Sequence, residues 1–361
     1  MINVTKTFLP PFEEYTAILK RAWDNEWITN NGELLQELEY KLKGYLRAEH
    51  LLFASNGTIV LQMALKALQI SGEVITTPFS YVATTTALLW ENCKPIFVDI
   101  RKDNFCIDET LIEAAITEKT QAILATHVYG YPCDIDAIEN IAKRYNLKVI
   151  YDAAHAFGTT YKGQSILNYG DISTCSFHAT KVFHTGEGGC LVTNNDEIAR
   201  QLFLYRSFGH IGDQYFTMGI NGKNSEFHSA VGLCNLKYID DILHKRKESW
   251  LTYQRLLTNS GLQLLQPEEG SGYNYAYFPV VFSSENQLLN ALADLKVRDI
   301  TPRRYFHPAL NTLSYVEYQS CPVAESIAKR VLCLPLYHDL TEDMQHQVVD
   351  GLFTEAKVIA Q

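Results

Sequence analysis

From residue 50 onward the chain alternates short apolar runs with amphipathic stretches, and this alternation restricts its fold more than any other feature. The runs "EVITTP" (73–78), "PIFVDI" (95–100), "AILATHVYG" (122–130), "KVIYDAAH" (148–155), "STCSFHA" (173–179) and "GCLVTNN" (189–195) are rich in Val, Ile and Thr and are bounded by turn residues. They read as strands. Between them, Ile135, Ile138, Ile141, Ala142 and Tyr145 recur at helical spacing behind Asp134, a capping residue. A second helix, "TIVLQMALKAL" (58–68), follows the apolar "LLFAS" and the turn "SNG" (55–57), and the threonine run at 84–86 begins another. Strands alternating with helices predict an α/β fold with a mostly parallel sheet covered on both faces. Ligands of such sheets sit in the crevice beyond the carboxyl ends of the strands.

The pattern changes after residue 225. "SEFHSAVGLCNLKYIDDILHKRKESW" (225–250) predicts one long helix, "YNYAYFPVVF" (273–282) a strand and "SENQLLNALADLKV" (284–297) a helix. We therefore expect a large domain over 1–245 and a smaller α+β domain over 246–361, joined by a helical hinge near residue 245. A chain of 361 residues with 47% apolar content can bury a sizeable core. Its net charge of −10 argues against broad contact with nucleic acid or an anionic membrane. A small phosphate pocket remains open to it, since backbone amides and one or two cations suffice. No apolar run reaches the roughly 18 residues of a membrane span. The start, "MINVTKTFLPPFEEY", lacks the features of a secretory signal, so the expected location is cytoplasmic. The 8 cysteines are scattered without a C-x-x-C pair, which predicts reduced core thiols and neither a disulfide framework nor a metal site.

The chemistry gathers around "SFHATKVFHTGEGG" (176–189) and "VIYDAAHAFG" (149–158). Lys181 lies in apolar surroundings that can desolvate an amine and favour its neutral, nucleophilic form. Taken alone it also reads as a lysine of a solvated face. Asp152 ends an apolar run and can pair with a protonated ring nitrogen, or can serve as a helix cap or a structural ion-pair partner. His155 can contact the same ring or be structural. Gly57 and Thr58 open a helix whose free N–H groups can bind phosphate or simply be capped. Ser176 can add a hydroxyl to a phosphate site. Tyr81 can stack on a flat ligand or belong to the core. As an ordered set these residues match a cofactor with a phosphate, a flat ring, a ring nitrogen and an aldehyde, namely pyridoxal 5′-phosphate (PLP).

The sequence resembles the DegT/StrS-type nucleotide-sugar aminotransferases. The likeness runs from "WITNNGELLQELEYKL" (27–42) through "SNGTIVL", "TPFSYVATTTAL", "HVYGYPCDIDAI", "YDAAHAFG", "SFHATKVFHTGEGG" and "GINGKNSEFHSAVGL" (219–233) to "LCLPLYHDLT" (332–341). It implies PLP fold type I (aspartate aminotransferase-like), with a mostly parallel seven-stranded sheet in the large domain and a smaller C-terminal α+β domain. By this resemblance Lys181 is the Schiff-base lysine and Asp152 the partner of the pyridine nitrogen. His155 lies near the ring oxygen, and Tyr81 stacks on the ring. Gly57, Thr58 and Ser176 cradle the phosphate, and Asn221 reaches the phosphate of a neighbouring subunit, which implies a homodimer with composite sites. Many members carry tyrosine and arginine after that asparagine, where this chain has Gly222 and Lys223. The segment "RDITPRRYFHPALNTL" (298–313) is expected to help form the sugar pocket, with Arg303, Arg304, Tyr305 and His307 as substrate contacts. The implied substrates are L-glutamate and a dTDP-linked 4-keto-6-deoxyhexose. Amination of a C3 ketone is an alternative. A dehydratase of the same fold carries histidine in place of the lysine, which Lys181 opposes. A non-catalytic PLP-binding protein is opposed by Lys181 and Asp152 together.

Overall fold

The computed structural model describes residues 1–267 and 270–353. Its centre is a seven-stranded sheet. The strands are β1 (His50–Ala54), β2 (Glu73–Thr76), β3 (Lys94–Phe97), β4 (Thr120–Thr126), β5 (Lys148–Asp152), β6 (Ile172–Ser176) and β7 (Gly189–Thr193). The spatial order is β1-β7-β6-β5-β4-β2-β3. All neighbours are parallel except β7, which runs antiparallel to β1 and β6. "LLFAS", which the periodicity leaves as a bare apolar stretch, forms most of β1. Each of the other runs is shorter than its sequence suggests. The run 122–130, for example, pairs only to Thr126, because Tyr129 adopts a left-handed φ of 56° inside a short 3-10 turn.

Alternation along the strands divides the core in two. Leu52, Ala54, Val74, Leu124, Ile150 and Leu191 pack on one face of the sheet. Leu51, Phe53, Ile75, Ile123, Val149 and Val192 pack on the other. Successive side chains of a strand point to opposite faces, so a sheet covered on both sides needs apolar residues at every position. The helices of this part are α1 (Phe12–Asp24), α2 (Glu33–Leu46), α3 (Gly57–Ala67), α4 (Val82–Trp90), α5 (Ile135–Tyr145), α6 (Asp196–Arg206), α7 (Glu226–Leu236) and α8 (Ile239–Leu257), of which α2 to α6 pack on the strands and α7 packs on α1 and α2. Asp134 caps α5 as expected, accepting the Ala137 N–H at 3.0 Å. The single helix expected over 225–250 is two helices. The first closes with Lys237 N–H to the Cys234 carbonyl and Tyr238 N–H to the Asn235 carbonyl, and α8 then runs on to Leu257. The hinge expected at residue 245 therefore falls inside α8.

Gly32, at the cap position before α2, has no side chain to cap the helix. The cap comes from α7 instead. Buried Glu226 accepts the Leu34 N–H at 2.7 Å and the Leu35 N–H at 3.2 Å. A Cβ at Gly32 would lie 2.5 Å from the Glu226 carboxyl carbon, so glycine is needed there for the acid to approach. Glu226→Ala is expected to cost about 2 kcal/mol in chemical denaturation, the upper range for losing a helix cap. A loss below a few tenths of a kcal/mol would show that water caps α2 equally well.

The C-terminal part adds a three-stranded antiparallel sheet of β8 (Gln263–Leu264), β9 (Phe278–Val281) and β10 (Val331–Leu334), with helices α9 (Glu285–Val297), α10 (Pro322–Arg330) and α11 (Glu342–Phe353). The strand expected over 273–282 is confined to β9, because Tyr275 takes a left-handed φ of 51° and breaks the extended run. Asn274 holds the irregular stretch in place, donating to the carbonyls of His155 (2.7 Å) and Phe157 (2.9 Å). Arg303 extends the small sheet by exchanging backbone hydrogen bonds with Cys333. All eight cysteines are buried and free. Among the described residues no helix is long and apolar enough to cross a membrane.

Candidate active site

The sheet register brings chain-distant residues to one edge. Gly189, the first residue of β7, faces both Ala54 at the end of β1 and Ser176 at the end of β6. Asp152 ends β5 opposite Thr126, which ends β4. Over this edge lies a cleft of about 210 Å³. Its walls include Gly57, Thr58, Tyr81, Asp152, Ser176, Lys181, Arg303 and Tyr305. The cleft thus unites residues of the large sheet with a segment from the C-terminal part.

At the start of α3, Asn56 caps the helix. Its Oδ1 accepts the N–H groups of Thr58 (3.0 Å) and Ile59 (2.8 Å). Capping, the alternative the sequence left open for this helix start, thus takes up the Thr58 and Ile59 N–H groups, while Gly57 and Thr58 still line the cleft. A Cβ on Gly57 would stand 2.8 Å from the Ser176 Cβ and 2.9 Å from its Oγ. Only glycine lets the helix start and the serine hydroxyl close on one another. The serine hydroxyl thus lies beside the positive end of the helix dipole, a setting that favours an anion.

Asp152 is buried. Its Oδ2 accepts from the Thr84 hydroxyl at 2.7 Å and its Oδ1 from the Ala154 N–H at 3.1 Å. Burial pushes the carboxyl above its ordinary range, and these two donors together with the Lys181 charge oppose the rise. The Lys181 amine is pushed down to about 8, chiefly by desolvation, with Asp152 and Cys175 working against the shift and the Arg303 charge adding to it. Among the described residues no hydrogen bond or ion pair ties down its Nζ.

An amine with its pKa near 8 rather than 10.5 is neutral in a substantial fraction at physiological pH. Competitive labelling of Lys181 in the cofactor-free protein is expected to rise with pH and level off with a midpoint near 8. A midpoint near that of surface lysines would contradict the desolvated setting. The sign for folding is that the unfolded chain binds the extra proton between about 8 and 10.5, so this group's contribution to stability rises with pH across that window.

His155 stands behind the cleft rather than in its wall. Its Nδ1 accepts the Tyr129 N–H at 3.2 Å, which leaves the ring proton on Nε2, 3.4 Å from the Tyr305 hydroxyl. Its ring is parallel to Phe306 at 5.3 Å, and burial with the nearby charges of Lys181 and Arg303 holds it well below its usual pKa. It is a neutral imidazole, clamped from both ends. Tyr81 is 47% exposed, so its ring is available to a ligand, and it sits 6.1 Å from the Tyr305 ring. The Arg303 guanidinium lies over the Tyr305 ring, 4.5 Å from its centroid. Among the described residues no carboxylate pairs with it.

Other expected contacts lie elsewhere. His307 is outside the cleft lining and is hydrogen-bonded to the Ala328 carbonyl at 3.1 Å. Arg304 pairs with Glu285. Exposed Asn221 forms a backbone bridge with Ser207 and is also outside the cleft lining of its own chain. Sequence reasoning missed Asn56, His178, Thr180 and Glu187, all of which line the cleft. Asn56 was legible as an N-cap immediately before an apolar helix. The other three lie within two or three residues of Ser176, Lys181 or Gly186, but their orientation depends on how the loop turns.

An amine, a buried carboxylate, an aromatic face and an anion cradle converge at the strand ends of a doubly covered sheet. That arrangement fits a phosphate-bearing pyridine aldehyde and defines a PLP enzyme of the aspartate aminotransferase type. The chain belongs to the DegT/DnrJ/EryC1/StrS aminotransferase family, whose profile matches residues 12–353. It is 43% identical to the dTDP-4-amino-4,6-dideoxy-D-glucose transaminase of Shigella dysenteriae over 97% of this chain and 98% of that protein. An Escherichia coli enzyme of the same name is 39% identical, over 95% of each chain. Among solved structures, DesI in the presence of its TDP-sugar product superposes with a TM-score of 0.92 at 29% identity, over 97% of this chain and 92% of that one. The protein is thus a PLP-dependent nucleotide-sugar aminotransferase.

Proposed function

We propose that the protein transfers the amino group of L-glutamate to the C4 ketone of dTDP-4-dehydro-6-deoxy-D-glucose, giving dTDP-4-amino-4,6-dideoxy-D-glucose and 2-oxoglutarate. The observation that carries this reading is the 43% identity, over nearly all of both chains, to an enzyme named for that product. The site chemistry agrees with it. PLP, when bound, supplies an electron sink for carbanion chemistry at the reacting carbon. Gly57, Thr58 and Ser176 would hold its phosphate, and Asp152 would offer its ring nitrogen a negative charge. Tyr81 would stack on its ring, and His155, as a neutral imidazole, backs the site. Lys181 takes a proton from the donor carbon and delivers one to the sugar carbon, a task suited to an amine with a pKa near 8. Arg303 and the Tyr305 hydroxyl offer the substrate a free cation and a donor. Because His155 Nε2–H points at Tyr305, the phenol can accept there and turn its own proton toward the cleft.

The active unit in this reading is a homodimer, with Asn221 reaching the partner's phosphate site. It is supported by an apolar groove of about 720 Å³ whose lining includes Thr58, Trp90, Met218 and Ile220. Trp90 and Met218 are 79% and 82% exposed, more apolar surface than an isolated chain gains by presenting to water. The product would enter glycan assembly such as O-antigen synthesis. The test is incubation of the holoenzyme with glutamate and a panel of dTDP-, UDP- and GDP-linked 3- and 4-keto-6-deoxyhexoses, with products read by NMR and mass by light scattering. Equatorial C4 amination of the dTDP-glucose derivative by a dimer is expected. Exclusive C3 amination, or preference for another nucleotide, would replace the substrate assignment.

A further inference from the structure

Asp152 does not stand alone behind the cleft. It is the last member of a line of buried hydroxyls from three separate segments. Thr84, in the first turn of α4, lies 2.7 Å from Asp152 Oδ2. Ser80, in the loop before that helix, lies 2.7 Å from the Thr84 hydroxyl. Thr126, at the end of β4, lies 3.1 Å from the Ser80 hydroxyl. All three hydroxyl residues are buried, at 2% exposure or less.

The direction of the protons follows from the donor count. An ionised carboxylate only accepts, so Thr84 spends its single proton on Asp152. The Thr84 oxygen can then only accept from Ser80, and the Ser80 oxygen only from Thr126. Each hydroxyl donates once, and every bond points toward the carboxylate. Sheet register fixes the two ends, because Thr126 and Asp152 are direct neighbours on β4 and β5. Hydrogen bonds to a charged acceptor are about twice as strong as neutral ones, and chains of them reinforce one another.

We propose that Thr84 is a positioning residue for Asp152, and that Ser80 and Thr126 orient the Thr84 proton so that the buried carboxylate stays ionised and fixed toward the cofactor site. The relay supplies a negative charge that burial alone would tend to neutralise. Thr85, the next residue on α4, provides an internal contrast. It is fully buried and its hydroxyl has no partner among the described residues, so its proton serves no such function.

The proposal rests on the reading of Asp152 as the ring-nitrogen partner, and the test separates the two. PLP affinity is measured by titrating the cofactor-free protein. The glutamate half-reaction is followed by the absorbance of the bound cofactor, without any sugar. Thr84→Val is expected to weaken PLP binding about fivefold and slow the half-reaction about tenfold, the scale of one hydrogen bond to a charged group. Thr84→Ser should restore both to within about threefold, since it keeps the hydroxyl, and Thr85→Val should leave both unchanged. In an Asp152→Asn background, Thr84→Val should add little, because its effect runs through the carboxylate. Full additivity in that background, or a Thr84→Val protein that behaves as wild type while Asp152→Asn is impaired, would overturn the relay alone. An Asp152→Asn protein with unchanged affinity and rate would remove the ring-nitrogen reading together with the relay.

Discussion

Lys181→Ala is expected to lower the turnover of glutamate and keto-sugar by about a thousandfold or more, the upper range for losing a positioned acid–base group. The fold should survive, because the amine makes no structural hydrogen bond or ion pair among the described residues, and Lys181 lines the cleft. Removing an amine whose protonation is opposed by burial also removes an unfavourable element, so the thermal transition of the cofactor-free variant should not fall. The measurement is steady-state amination beside a melting curve. Turnover near the wild-type level would eliminate Lys181 as the proton carrier, whatever cofactor is bound.

The second large effect is expected at Asp152. Asn keeps the shape of the side chain and can still accept the Thr84 hydroxyl, but it has no charge to set against a protonated ring nitrogen. The half-reaction with glutamate should slow on the order of a hundredfold, comparable to losing one preorganised electrostatic contact in other active sites. PLP affinity should fall less than the rate, because the phosphate contacts proposed for Gly57, Thr58 and Ser176 are untouched. The comparison of rate with affinity is what matters. Equal losses in both would indicate that Asp152 serves only to hold the cofactor.

Gly57 illustrates how a residue can be legible in type and illegible in cause. The sequence marks it as a turn glycine at a helix start, which is a local property. The reason it must be glycine is Ser176, a residue on β6 whose side chain would collide with any Cβ there. Lys181 and Asp152 could be found from their flanks, because desolvating apolar neighbours and the end of a strand are written in adjacent residues. Arg303 and Tyr305 could be suspected only through the resemblance. They enter the cleft because Arg303 pairs with Cys333 at the edge of the small sheet, and nothing near residue 303 encodes that pairing.

By itself the sequence determined the alternation of strands and helices, the doubly buried sheet and the chemical type of its site. These follow from hydrophobic period, turn residues and short motifs, all of which act over a few neighbouring positions. Only the tertiary structure decided that α7 caps α2 through Glu226. It alone showed that the predicted helix over 225–250 breaks at Lys237–Tyr238, and that Thr126, Ser80 and Thr84 line up behind Asp152. Those contacts join segments far apart in the chain, so their geometry is fixed by sheet register and helix packing rather than by any local preference.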